Sequence, residues 1–182
     1  MSSVFFTADT HFFHDNIVTL SNRPFKDGEE MLEAIVARWN ERVKRGDVVY
    51  HLGDFALTWS KDTARVEALL DRLHGSVHLI TGNHDREAVK RAKGFQWIGD
   101  YKRIKVDGQA IVLFHYPLIS WHGSARGAWH LHGHCHGNLK TTFGKMMDVG
   151  VDCWNFYPVE LDKVALVMQG KELAVVDHHG LD

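Results

Sequence analysis

Five short clusters of acidic, amide and imidazole side chains recur along the chain: Asp9-Thr10-His11, Gly53-Asp54, Gly82-Asn83-His84-Asp85, His115, and Gly133-His134-Cys135-His136. Together these residue types suit a two-metal hydrolytic site. Two divalent cations about 3.5–4 Å apart hold a phosphoryl group, stabilise the attacking and leaving oxygens, and lower the pKa of a bound water toward neutrality. Each ion needs several protein donors. Asp9 and His11 flank Thr10, so an extended backbone would aim both at one ion. His134 and His136 stand in the same relation around Cys135, which then faces away. A carboxylate between two cations offsets their repulsion, and Asp54 is the natural bridge, while Asn83 adds a neutral oxygen. Imidazoles, carboxylates and one amide, with no thiolate, suit Mn, Fe, Zn, Ni or Co better than Ca or Mg. Of these, Mn is the ion expected to support activity.

Each cluster follows a short apolar run that reads as a buried strand. Val4-Phe5-Phe6 leads to Asp9, Val48-Val49-Tyr50 to Asp54, Val77 to Ile80 leads to Asn83, Ile111 to Phe114 leads to His115, and Ala128-Trp129 with Leu131 leads to His134. In open α/β sheets ligands bind beyond the carboxyl ends of the strands, so five polar strand exits converge on one site. Helices are predicted between the strands. Met31, Leu32, Ile35, Val36, Trp39 and Val43 share one face of a helix starting near Gly28, and Val66, Leu69, Leu70 and Leu73 line another that closes before Gly75. A third runs from Asp85 to Lys93, with Asp85 at its amino end and Gly94 past its other end. Asp107-Gly108 between Tyr101–Val106 and Gln109–Phe114 is a hairpin signal, its edge marked by Lys102, Arg103 and Lys105. Leu161 to Met168 fits helix or strand.

At 182 residues, 45% of them hydrophobic, the chain fits one domain, 1–182, with enough apolar surface for a core. A net charge of -2 and a pI near 6.7 argue against a dedicated nucleic-acid-binding surface, whose footprint is strongly basic. Asp9 interrupts the apolar amino terminus, arguing against a cleaved signal peptide, and no apolar run is long enough to span a bilayer. Cys135 and Cys153 form no Cys-x-x-Cys pair. The expectation is a cytoplasmic protein without disulfides or membrane partner.

The order and spacing of the clusters, over roughly residues 4 to 160, resemble the calcineurin-like metallophosphoesterase family, whose motifs Asp-x-His, Gly-Asp, Gly-Asn-His-Asp/Glu, a lone His and Gly-His-x-His occur here without a gap. Phe12 to Ile17 and Asn22-Arg23-Pro24-Phe25 are similar to its short, stand-alone phosphoesterases from bacteria and phages. The resemblance implies an α/β fold, a four-layer α/β/β/α sandwich of two mixed sheets flanked by helices. It also implies two metal sets, Asp9, His11, Asp54 and His136 for one ion and Asp54, Asn83, His115 and His134 for the other, with Asp54 bridging. His84 would contact the phosphoryl group or protonate the leaving group, and Asp85 would orient and charge it. The implied reaction is hydrolysis of a small phosphodiester or nucleotide by a metal-activated hydroxide. Alternatives are a phosphomonoesterase, protein phosphatase or nuclease of the same family, or a non-catalytic metal-binding scaffold.

Beyond these sets, Arg23 and Arg126 are candidates for substrate phosphate, because guanidinium matches phosphate oxygens bidentately. His14 and His122 are candidate substrate-binding or outer-shell groups, and Asp148 and Asp152 candidates to orient a metal-bound histidine. Arg86, Lys90, Arg91 and Lys93 read as a solvated helix face. His51, His74, His78, His130 and His132 read as packing or surface residues, and His178 and His179 as part of a tail.

Overall fold

The computed structural model describes residues 2–59, 61–173 and 175; His178 and His179 lie outside them. The first sheet contains β1 (Val4–Thr7), β2 (Val48–His51), β3 (Ser76–Ile80), β4 (Trp97–Gly99) and β9 (Val159–Glu160), in the order β4-β3-β2-β1-β9. Its first four strands are parallel and β9 is antiparallel to β1. The second sheet contains β5 (Tyr101–Val106), β6 (Gln109–Phe114), β7 (Trp129–His132) and β8 (Met146–Asp148), in that order. Here β5 is antiparallel to β6, and β6, β7 and β8 run parallel. Both sheets are therefore mixed.

Side-chain alternation explains how the layers stack. Phe6 and Ile80 from the first sheet, with Leu52 just past β2, meet Ile111, Leu113 and Leu131 from the second in an inter-sheet core. Phe5, Val49, Val77 and Leu79 face the other way, against helices. Those helices are α1 (Asn16–Leu20), α2 (Gly28–Arg42), α3 (Thr63–Leu70) and α4 (Glu87–Arg91). A last helix, α5 (Leu161–Gln169), resolves the ambiguous carboxyl-terminal run and adds Val164 and Met168 to the inter-sheet core. The outer face of the second sheet carries a thinner cover, in which Trp121 and Ala128 pack on Val112 and Met146 beside a 3-10 turn at Ser124–Arg126. Together the layers make the α/β sandwich of two mixed sheets and helices.

Local signals match these elements. Asp27 caps α2 by accepting the Glu30 N–H at 2.9 Å, while Glu30 accepts the Lys26 N–H at 2.7 Å. This reciprocal pair satisfies two otherwise unpaired amides near the helix start. Met31, Ile35, Val36 and Trp39 are buried, and the Trp39 indole donates to the His74 carbonyl at 2.9 Å. Asp107 and Gly108 have φ of 49° and 84°, the left-handed pair that joins twisted strands in a tight hairpin. One helix differs from expectation: α4 covers only Glu87–Arg91, with Arg86 rather than Asp85 at its amino end. The reason is that the Asp85 carboxylate is engaged elsewhere. Among the described residues no helix is long and apolar enough to cross a membrane.

Candidate metal centre

Beyond β1 and β2 the two strand exits keep bonding to each other. Asp9 N–H donates to the Gly53 carbonyl and His11 N–H to the Asp54 carbonyl, each at 2.9 Å. The backbone is not extended there, as alternation around Thr10 had suggested. Asp9, His11 and Asp54 have φ of 57°, 49° and 54°, and His134 and His136 have 69° and 48°. Each lies in the left-handed region, which bends the chain sharply at a strand exit and turns alternate side chains inward. Gly82 lets β3's exit press against this turn, since a Cβ there would strike the Asp54 carboxylate and backbone amide.

Two donor groups result. One atom each from Asp9, His11 and His136 lie within 4.8 Å of one another, as do atoms from Asp54, His115 and His134. Asp54 Oδ2 is 3.5 Å from His11 Nε2 and 3.5 Å from His115 Nε2, so one carboxylate oxygen faces both groups. Asn83 Oδ1 lies 3.1 Å from His115 Nε2, completing the second. Asp9, His11, Asp54 and His115 are buried, His136 is half-buried, and Asn83 and His134 are exposed. The cluster therefore opens to solvent on the Asn83 and His134 side.

Hydrogen bonds set which imidazole nitrogens carry lone pairs. His115 Nδ1 lies 2.7 Å from the Leu52 carbonyl, which can only accept, so Nε2 is left to bind. His136 Nδ1 donates to Asp152 Oδ2 at 2.7 Å, a carboxylate–histidine pair of the kind that orients metal ligands. His11 Nδ1 is 3.2 Å from His14 Nδ1, while its Nε2 is buried with no hydrogen-bond partner among the described residues. An unmade bond at a buried polar nitrogen costs about 1–3 kcal/mol, and a cation at this position removes that cost. Burial pulls the His11 pKa down to about 2, keeping it a neutral ligand. Burial pushes Asp9 up to about 7 against the pull of His136 and His115, a proton that a cation would displace. Asp54 is held low, because the His115 hydrogen bond and charge and the His84 N–H outweigh its burial. The donor set, without thiolate, fits divalent transition metals.

Other candidates separate into those at this cluster and those away from it. His84 stacks edge-on to His11 with centroids 5.2 Å apart, and its N–H donates to Asp54 Oδ1 at 2.8 Å. His14 joins them, 5.2 Å from the His11 ring and 5.7 Å from that of His84. Both carboxylate oxygens of Asp85 are taken up by backbone amides: they accept N–H groups from Gly82, Asp54, Phe55 and Ala56 at 2.8–3.4 Å. Burial pushes its pKa up to about 7. Asp85 therefore ties the β3 exit to the β2 exit and does not orient the imidazole.

Arg23 is also not a substrate contact. Its side chain is fully buried, paired twice with Asp152 at 2.8 Å and donating to the Asp9 and Thr10 carbonyls. Arg126 and His122 line a separate cleft with Arg103, Lys105 and Ala110, where β6 begins, whereas His115 lies where β6 ends. Asp148 ends β8 and accepts from Gly150 and Gly137 N–H, shaping the turn after that strand. His51, His130 and His132 are fully buried packing residues. One neighbour was missed: Tyr116 places its hydroxyl 3.4 Å from Asn83 Oδ1 and its ring 4.6 Å from that of His134. Its only sequence signal is adjacency to His115.

Comparison with known proteins agrees with this geometry. The chain is 33% identical to an uncharacterized protein of Methanocaldococcus jannaschii over 184 residues, 97% of this chain and 98% of that protein. It is 28% identical to the Gene 66 protein of Mycobacterium phage D29, over 85% of this chain and 90% of that one. A crystal structure of a protein of unknown function from Aquifex aeolicus superposes with a TM-score of 0.74 at 25% identity, covering 92% of this chain and all of the other. The family model of the calcineurin-like phosphoesterase superfamily domain matches residues 3–153, so with its motifs in order and its two donor groups assembled, the chain belongs to the calcineurin-like phosphoesterase superfamily.

Proposed function

We propose that the protein hydrolyses a small phosphodiester with two divalent cations, one held by Asp9, His11, Asp54 and His136 and the other by Asp54, Asn83, His115 and His134. The observation that carries this reading is the single Asp54 oxygen 3.5 Å from one histidine of each group. When bound, the ion pair would acidify a water and neutralise the phosphoryl oxygens. Mn is the ion we expect to support turnover.

The chain's own groups supply the rest. Asp54 separates two positive charges and is fixed by the His84 N–H. His84 stands beside the cluster with His14 and His11 around it, in a position to donate to a phosphoryl oxygen or to the departing alcohol. Asp152 holds the His136 ring, and the Leu52 carbonyl holds that of His115. Tyr116 and Asn83, on the exposed side, border the entrance. Gly133-His134-Cys135-His136 favours a diester over a monoester. The net charge of -2 favours a small molecule over a nucleic-acid polymer.

The test is turnover of a chromogenic phosphodiester and the matching monoester by purified protein reloaded with Mn. Diester hydrolysis that disappears in His84→Ala, with metal content unchanged, is expected. Silence on both esters at full metal occupancy would replace this reading with a binding scaffold.

A further inference from the structure

A small pocket of about 260 Å³ opens on the His84 and His14 side of the metal cluster, lined by Phe13, His14, Asn16, Thr58, Trp59 and Arg86, with Asp15 at its edge. We propose that it is a leaving-group subsite that stacks a nucleobase on Trp59, making the substrate a phosphoester of a nucleoside. This inference rests on the hydrolase reading above.

Position is the first support. His14 borders the pocket, and its ring is 5.7 Å from that of His84, the group placed to serve the departing oxygen. Arg86 follows His84 by two residues. A group leaving phosphorus toward His84 therefore enters this pocket. The water oxygen forms the new bond to phosphorus and releases a proton to solvent. The bond from phosphorus to the nucleoside oxygen breaks, and that oxygen takes a proton from His84, which regains one from solvent.

Chemistry is the second. Trp59 is 82% exposed, so it contributes almost nothing to the core, yet Arg86 stands over its ring at 5.4 Å. The neighbouring Phe13 ring is already covered by Arg65 at 4.0 Å, which leaves Trp59 as the open aromatic surface. Indole and guanidinium planes both stack on bases. Thr58 is buried, and its hydroxyl has no hydrogen-bond partner among the described residues, while Asn16 offers both a donor and an acceptor. These suit the polar edge of a heterocycle. The carboxylate of Asp15 leans against Gly28 at the start of α2, and Arg86 is the one guanidinium in the lining. A second phosphate would find one cation beside an acid, whereas a neutral flat ring finds stacking surfaces. The volume is below the roughly 300–1,000 Å³ of drug-sized sites, which suits one ring system.

The test uses the full chain with Trp59→Ala and Trp59→Phe, substitutions at an exposed position that leave folding intact. With Mn-loaded protein, KM is measured for a dinucleoside monophosphate, a nucleoside monophosphate and the base-free diester glycerophosphoethanolamine. Adenosine binding is measured separately by calorimetry on metal-free protein. Loss of one base stack should raise KM for the nucleoside esters about tenfold in Trp59→Ala, with kcat and the base-free diester changed less than about twofold. Trp59→Phe should keep most of the affinity, and adenosine should bind the wild type and weaken about tenfold in Trp59→Ala. Equal losses on base-bearing and base-free esters would overturn the proposal. So would adenosine binding that ignores Trp59, or no saturable adenosine binding to the wild type. If no ester is hydrolysed by the wild type, the hydrolase reading fails, and the adenosine titration alone still decides the subsite.

Discussion

Asp152 accepts from two sides: His136 Nδ1 at 2.7 Å, and both Nε and NH2 of Arg23 at 2.8 Å. The Arg23 guanidinium is fully buried, so removing its partner leaves an uncompensated interior charge. Asp152→Ala should lower stability by about 3 kcal/mol in urea unfolding of the metal-free protein. Equilibrium titration should also show metal affinity falling about 10–100-fold, because the His136 ring is released. A variant that loses affinity but unfolds like the wild type would mean that Arg23 does not depend on this carboxylate. The seven candidate ligands were legible as residue types, and the structure brings them together. Arg23 was misread because its partner lies 129 positions away, and a guanidinium suited to phosphate is equally suited to a carboxylate. Tyr116 left no pattern in the sequence, since its place comes from the turn after β6.

The strand exits are the elements that make the centre, and they are joined by Asp85. Gly82 belongs to the end of β3, and Asp54, Phe55 and Ala56 to the end of β2; one buried carboxylate receives all four amides. Asp85→Ala would leave those donors buried without partners, at about 1–3 kcal/mol each before relaxation. Melting temperature and metal affinity should therefore fall together. If Asp85 acted on His84 instead, kcat would drop with the melting temperature unchanged. The strands were legible because apolar runs end abruptly at polar clusters, and α2 because its apolar face and capping residues agree. What the sequence concealed was conformational. Nothing in Asp-Thr-His announces a left-handed backbone at Asp9 and His11, and α1 is too short for its periodicity to stand out. The expected helix start at Asp85 failed because a side chain suited to capping was recruited by another strand's exit.

At the scale of the molecule, the two-sheet sandwich was expected from the resemblance and from alternation of strands with helices. The misplacement of Arg126 and His122 was a matter of strand polarity. Both precede β7, and within the second sheet the metal-centre residues lie past the carboxyl ends of β6 and β7. Inside the fold, His51 donates through Nε2 to Thr10 Oγ1, which donates onward to the Phe55 carbonyl, and the His51 Nδ1 is buried without a partner among the described residues. Burial draws the His51 pKa from its ordinary 6.5 down to about 3. Above pH 6.5 the ring is neutral folded or unfolded; below it the unfolded chain takes a proton that the fold refuses, so stability falls as pH falls. At pH 5 the loss from His51 is about 2 kcal/mol. The stability gap between wild type and His51→Gln, followed by denaturant midpoints from pH 7 to pH 4.5, should shift in favour of the variant as acid is added. A constant gap would mean that the ring charges freely in the fold. The five left-handed residues, Asp9, His11, Asp54, His134 and His136, extend the same tension between endurance and use. Each conformation costs an L-residue about 1–2 kcal/mol and glycine almost nothing. Glycine at those places would make a sturdier polypeptide with nothing to grip an ion. A descendant freed from its duty would drift that way, and a glycine found there in a cousin would mark an idle one.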